Sequence, residues 1–280
     1  MTALAVSGYS SMDYAIGLNG QIEGGHTTLI SHRDTAAWPR MGGCPSYVSV
    51  AAAGLGQKAR PISWIGRDDN ARKFLIDLQA ESVSTNGISR IDGPSPMAVL
   101  AYQADSSCAC LFDPVFAGRE DLTETQCGII AAASHICITA GPPHLTSDIL
   151  AARDSDARLY WICKNDAHCF TDEIRAVLSV EADVIFCNRF ERDLIKGHRA
   201  DAIIVETRGT DGISISGGAE AAHLEIDPVA VRDTTGAGDT FAGGFIAAEM
   251  RAEISPRAAA DHGLRAARKM LSERLTREQS

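Results

Sequence analysis

The feature that most constrains this chain is a rhythm of short apolar runs separated by helix-length stretches. TALAVSG at 2–8 precedes an Ala-rich segment at 46–58, and PISWIG at 61–66 precedes DNARKFLIDLQAE at 69–81. The series resumes with SHICITA at 134–140, a helix near 145–153, RLYWIC at 158–163, a helix near 170–180, ADVIFC at 182–187 and AIIVET at 202–207. Runs such as VIF and IIV carry no polar alternation, as expected of parallel strands covered by helices on both faces. The tail at 255–274 reads as an amphipathic helix opened by Ser255 and Pro256. The expected class is α/β, a doubly wound, mostly parallel sheet flanked by helices, and 280 residues fit one such domain.

Two stretches break the rhythm. Residues 14–38 include LNGQIEGGHTTLI, whose Asn19-Gly20 and Gly24-Gly25 pairs are turn signals between short strands. Residues 97–112, MAVLAYQADSSCACLF, read as two strands around a polar turn. Spacing leaves two readings open, a small separate sheet covering a ligand or a pair of decorative hairpins.

The 26 Lys and Arg stand against 36 Asp and Glu, a net charge of -10 that disfavours nucleic acid as the main partner unless basic residues concentrate locally, but not a small anion held at one helix end. The eight cysteines include no C-x-x-C pair. That spacing disfavours zinc, and Cys137 and Cys187 lie in apolar runs where buried thiols are expected. Cys163 and Cys169, with His168 between them, are the best metal candidate and still read mainly as packing and surface positions. The N-terminus has no basic leader and no run approaches a membrane span, so the expected setting is the cytoplasm, without membrane attachment.

The chemistry concentrates in VRDTTGAGDTFAGGF, residues 231–245. A strand-like entry, a loop at Gly236, Ala237 and Gly238, and a helix from Asp239 form an oxyanion pocket, because small residues let N–H groups approach an anion at a positive helix end. No Gly-Lys pair occurs in the chain, which excludes a P-loop ATPase, and Phe241 replaces the last glycine of a dinucleotide fingerprint. Asp239 has two readings, a helix N-cap or a general base beside a bound phosphoryl group. A cap needs no neighbouring anion site, so the loop favours the base.

Here the chain resembles the PfkB, or ribokinase-like, family of carbohydrate and nucleoside kinases, whose signature DTTGAGDTF stands at 233–241. The resemblance extends to Gly8 and Asp13, Gly42-Gly43, Gly66 and Asp68, Asn188-x-x-Glu191, and Thr207-x-Gly209-x-x-Gly212. It implies a ribokinase-like core with a β-sheet lid, a single domain over 1–280 with lid segments at about 14–38 and 97–112. By the same resemblance Asp239 is the catalytic base and Gly236, Ala237 and Gly238 the anion hole. Asn188 and Glu191 organise magnesium through water, Glu191 otherwise being a solvated first-turn acid. Thr207, Gly209 and Gly212 touch the nucleotide, and His262 lies in the region bordering the adenine. Asp13, Gly42 and Gly43 hold the acceptor, Asp13 otherwise being a turn or cap residue. Tyr47 stands where relatives carry a sugar-binding Asn, and it stacks on a ring or donates through its hydroxyl. Arg208 replaces an apolar residue and reads either as a phosphate contact or as a solvent-facing side chain.

The implied activity is transfer of the γ-phosphoryl group of ATP to a hydroxymethyl group of a sugar, with magnesium and optionally a monovalent cation. The alternatives are a nucleoside kinase and a non-catalytic regulator that kept the fold. A homodimer through the lid strands is a further family-level expectation.

Overall fold

The computed structural model describes residues 2–105, 107–116, 118–218 and 221–278. Ser106, in the turn expected within 97–112, lies outside the described residues, as do Met1 and the last two positions of the 1–280 span.

The first part of the chain forms β1 (Leu4–Ser7), β2 (Ser11–Leu18), β3 (Ile30–His32), β4 (Arg40–Gly42), α1 (Cys44–Gly54), β5 (Ala59–Ile65) and α2 (Asp69–Ala80). The middle forms β6 (Ile88–Arg90), β7 (Met97–Tyr102), β8 (Cys108–Asp113), α3 (Glu124–Ala131), β9 (His135–Ile138), α4 (Thr146–Ala152), β10 (Arg158–Ile162) and α5 (Asp172–Glu181). β11 (Val184–Asn188), β12 (Ile203–Thr207), β13 (Ile213–Ser216), β14 (Ala222–Leu224), α6 (Ala237–Arg251) and α7 (Pro256–Glu278) complete it.

Nine strands make the main sheet in the order β14-β13-β12-β11-β10-β9-β1-β5-β6. Strands from β6 to β12 run parallel, and the β13–β14 hairpin adds an antiparallel edge. Side chains alternate between two apolar layers. Ala5, Leu159 and Trp161 join one layer with Ile129, Ile149 and Leu178 of α3, α4 and α5. Leu4, Val6, Tyr160 and Ile162 join the other with Val48, Phe241 and Ala260 of α1, α6 and α7. This two-sided burial is why the strands read as unbroken apolar runs. Strand order reverses between β1 and β9, and in such sheets the crevice beyond the strand C-termini at the reversal is where ligands bind.

The second sheet has the order β3-β2-β7-β8, with β4 also paired to β2. Its first strand starts at Ser11, so Asp13 belongs to it and faces Arg40 across the β2–β4 pair. Met12 anchors this sheet on Phe74 and Leu78 of α2. Asp68 caps α2 by accepting the Ala71 N–H, and it also takes the Ser95 hydroxyl and N–H, which ties the approach to β7 to the core.

The strand expected at the entry to 231–245 is absent. Asp233 turns its carboxylate back onto the Thr235 N–H at 2.9 Å, and Arg274 of α7 takes the carbonyls of Asp233 and Thr235, so these groups are not free to join a ladder. All eight cysteines are free thiols. Cys163 and Cys169 sit in the apolar core while His168 is exposed. No helix among the described residues is long and apolar enough to cross a membrane.

Candidate active site

The N-terminus of α6 is the centre of the site. Gly236 caps it in the left-handed region, φ 75°, with no side-chain cap. A Cβ there would stand 2.6 Å from the Tyr47 ring, so glycine is required for backbone and space alike. Asp239 lies in the first helical turn and does not cap the helix, which removes that reading. Ala237 donates its N–H to Thr234 O at 3.1 Å. By helix geometry Gly238 and Asp239 follow it as first-turn residues whose N–H groups have no intrahelical partner.

The Asp239 side chain is 7% exposed, and its Oδ1 has no hydrogen-bond partner. The Lys164 Nζ stands 3.2 Å from that oxygen as an ion-pair partner. A buried carboxylate oxygen left in this way is suited to receive a proton. Beside it, burial and the Asp239 carboxylate push the Cys44 thiol well above its usual range, so Cys44 is not a thiolate nucleophile.

A cleft of about 760 Å³ opens from this helix end. Asn188, Glu191, Thr207, Gly209, Gly212 and Gly236–Asp239 all line it. Asn188 ends β11, and its Oδ1 accepts the N–H groups of Phe190 and Glu191 at 2.8 and 3.1 Å. Glu191 Oε2 in turn accepts the Asn188 N–H at 2.8 Å. The carboxylate is buried, not a solvated helix acid, and burial pushes its pKa up against the opposing pull of Lys164. No group of three His, Cys, Asp or Glu side chains among the described residues converges as a protein-only metal site requires. One oriented carboxylate beside an anion-sized space does fit a hydrated magnesium ion, which takes one or two carboxylates with waters and phosphate oxygens.

One expected position is placed differently, and one open reading is narrowed to the solvent-facing side. His262 does not line the cleft; from α7 the wall is Asp261, Leu264, Arg265, Ala267, Arg268 and Leu271. The His262 carbonyl instead faces Gly244, where α7 packs on α6. Arg208 forks onto the Glu206 carboxylate at 2.8 and 3.1 Å and does not line the cleft.

The acceptor candidates gather on the other side of Gly236. Asp13 is 3% exposed; Ser11 donates to Oδ1 at 2.6 Å and the Tyr47 hydroxyl to Oδ2 at 3.2 Å. Burial pushes the Asp13 carboxyl up, opposed by these donors and Arg40. Gly42 is needed because a Cβ would fall 2.0 Å from Asp13 Oδ1, and Gly43, φ 86°, opens α1 against the Tyr9 carbonyl. Tyr47 thus spans the site, its hydroxyl on Asp13, its ring on Gly236 and the Arg274 guanidinium 5.9 Å from the ring centre.

Sequence reasoning missed Lys164, Arg40, Arg274 and Tyr102. Arg40 of β4, Arg274 of α7 and the Tyr102 hydroxyl of β7 all converge on Asp233. Lys164 had one signal, its place just past an apolar run that ends as a parallel strand, where ligands are met. The others had none, since each reaches Asp233 from a distant part of the chain.

Comparison with known proteins bears on the fold and the family. The chain is 27% identical over 221 residues to the ATP-dependent ribose-1-phosphate kinase of Halopiger xanaduensis, covering 74% of this chain and 72% of that protein. Its fold matches a ribokinase from Cryptococcus neoformans in complex with ADP at a TM-score of 0.81, with 20% identity over 95% of this chain and 93% of the other. A nucleoside kinase from Methanocaldococcus jannaschii matches at 0.77, with 17% identity over 95% and 90%. The fold is ribokinase-like. Residues 25–280 match the model of the pfkB family of carbohydrate kinases, and the chain belongs to that family.

Proposed function

We propose that the protein transfers the γ-phosphoryl group of ATP to a hydroxymethyl group of a sugar or sugar-like acceptor. The observation that carries this reading is the buried Asp239 carboxylate with an unbonded oxygen, in the first turn of the helix that ends the cleft. ATP occupies the cleft with its phosphates at the N-terminus of α6, where first-turn N–H groups offset charge growing on the transferred group. Asp239 takes the proton of the attacking hydroxyl as the O–P bond forms and ADP leaves. Asp13 orients the acceptor by accepting from its other hydroxyls, and Gly42 keeps the space in which Asp13 lies.

Glu191, with Asn188 fixing its turn, would hold a hydrated magnesium ion, which would supply charge neutralisation. The second sheet acts as a lid, since it delivers Asp13 and Arg40 to the same edge of the site. Tyr47 lies on Gly236 with Arg274 beside its ring and its hydroxyl on Asp13, a position that keeps the ring from stacking on a base and so favours a sugar over a nucleoside. Leu29, Ile30 and Leu111 are exposed on the second sheet and its connection, which supports pairing of two copies through it.

The test is ADP release measured with ribose, fructose, their phosphates and purine nucleosides. At least one sugar should be turned over, and Asp239→Asn should lower kcat about 10²–10⁴-fold with ATP affinity unchanged. Wild-type turnover by Asp239→Asn sinks the base assignment, and turnover of nucleosides alone sinks the sugar reading.

A further inference from the structure

Resting on this kinase reading, we propose that Lys164 is a catalytic residue, its ammonium binding the γ-phosphoryl group that Asp239 helps to transfer. Lys164 follows the C-terminal end of β10 and lines the cleft together with Asn188, Glu191 and Gly236–Asp239. Its side chain is 31% exposed where the Asp239 side chain is 7% exposed.

Position follows from the chemistry. A base within about 3 Å of the attacking hydroxyl places the phosphorus one further bond away. The Lys164 Nζ, 3.2 Å from Asp239 Oδ1, lies within that radius. A purely structural ion pair in a buried site is expected to be closed by directed hydrogen bonds. This one is looser: at 3.2 Å the ammonium holds Asp239 by charge, and Oδ1 meets no partner within strict hydrogen-bond angles. A flexible stem with three donors can therefore turn from the carboxylate to a phosphoryl oxygen while keeping its charge. Burial alone would lower the Lys164 pKa, but the Asp239 and Glu191 carboxylates outweigh it and push it well up, which keeps the ammonium protonated.

The step balances without a proton from Lys164. The acceptor O–P bond forms, the bond from phosphorus to the β–γ bridging oxygen breaks, the hydroxyl proton passes to Asp239, and ADP departs with the bond's electrons. The ammonium offsets charge on the phosphoryl oxygens and then returns to Asp239. It also brings a positive charge between Asp239 and Glu191, two acids that otherwise repel the triphosphate.

The experiment compares ADP with the imido analogue of ATP, both with magnesium, by calorimetry on wild type, Lys164→Met and Lys164→Arg. Only the analogue carries a γ-phosphoryl group. Lys164→Met should bind ADP within about twofold of wild type and the analogue about 10–100-fold more weakly, the scale of one hydrogen bond to a charged group. Lys164→Arg should regain part of that loss. With an acceptor that is turned over, Lys164→Met should lower kcat far more than it raises the acceptor KM. Unchanged affinity for the analogue, or parallel loss for both nucleotides, overturns the proposal. If Lys164→Met does not fold, judged by circular dichroism, Lys164→Gln takes its place in the same comparison. The binding comparison needs no acceptor, so absence of phosphorylated product sinks the kinase reading while the γ-dependent loss still decides Lys164. Failure of wild type to bind either nucleotide overturns both.

Discussion

Gly236 and Tyr47 meet so closely that each limits what the other can be. Gly236→Ala adds a methyl 2.6 Å from the ring and forces a non-glycine residue to φ 75°, a change expected to cost about 1–3 kcal/mol from backbone strain alone. In a Tyr47→Ala background the ring is gone and only the strain remains, so the same substitution should cost at least about 1 kcal/mol less. Urea unfolding of the four proteins checks this, and an equal cost in both backgrounds removes the ring contact as the reason for glycine. At this scale Gly236 and Asp239 were legible because a small-residue loop opening a helix has a local physical meaning. Arg274 was not, because no local pattern tells which distant cation reaches residue 233, and Lys164 carried only its place just past an apolar run. The Asp239 cap reading failed for a local reason: the helix starts two residues before it.

Asp233 shows how elements are joined. Its carboxylate holds Arg40 of β4, Arg274 of α7 and Tyr102 of β7, and its backbone leads directly into the Gly236 turn, so second sheet, last helix and anion loop share one junction. Burial alone would raise its pKa, but Arg40 and Arg274 outweigh burial and hold the carboxyl well below the usual range. A depressed folded pKa gives stability that is fully present above the unfolded value of about 3.9 and is lost as pH falls below it toward the folded value. Wild type should therefore lose stability below about pH 4 more steeply than Asp233→Asn, although the variant is the less stable at neutral pH because it leaves two buried guanidinium groups underpaired. Parallel acid-unfolding curves contradict this role.

The same junction explains what was misread among the elements. The apolar runs located β1, β5 and β9–β12 because both their faces are buried. The entry to 231–245 has the composition of a strand, but its polar groups bond Arg274 and the Thr235 N–H instead of a neighbouring strand. β6, β13 and β14 were missed because three or four residues at a sheet edge, such as Ile88-Ser89-Arg90, carry too little pattern to separate from loop.

For the whole molecule, the net charge of -10 bears on assembly. Two copies meeting through the second sheet would bring acidic bodies together, so long-range charge opposes the dimer while the apolar groups at Leu29, Ile30 and Leu111 favour it. The two contributions respond oppositely to salt. Between 0.01 and 0.15 M the screening length falls from about 30 to about 8 Å, which weakens the repulsion and leaves apolar contact intact. Sedimentation should show a dimer whose fraction rises with salt over that range, and an interface built on ion pairs would show the reverse. Leu111→Asp places a charge at the proposed contact, far in sequence from the Asp239 helix, and should shift the population to monomer. A wild-type monomer at every salt concentration, or a Leu111→Asp dimer as tight as wild type, would remove this sheet as the meeting surface.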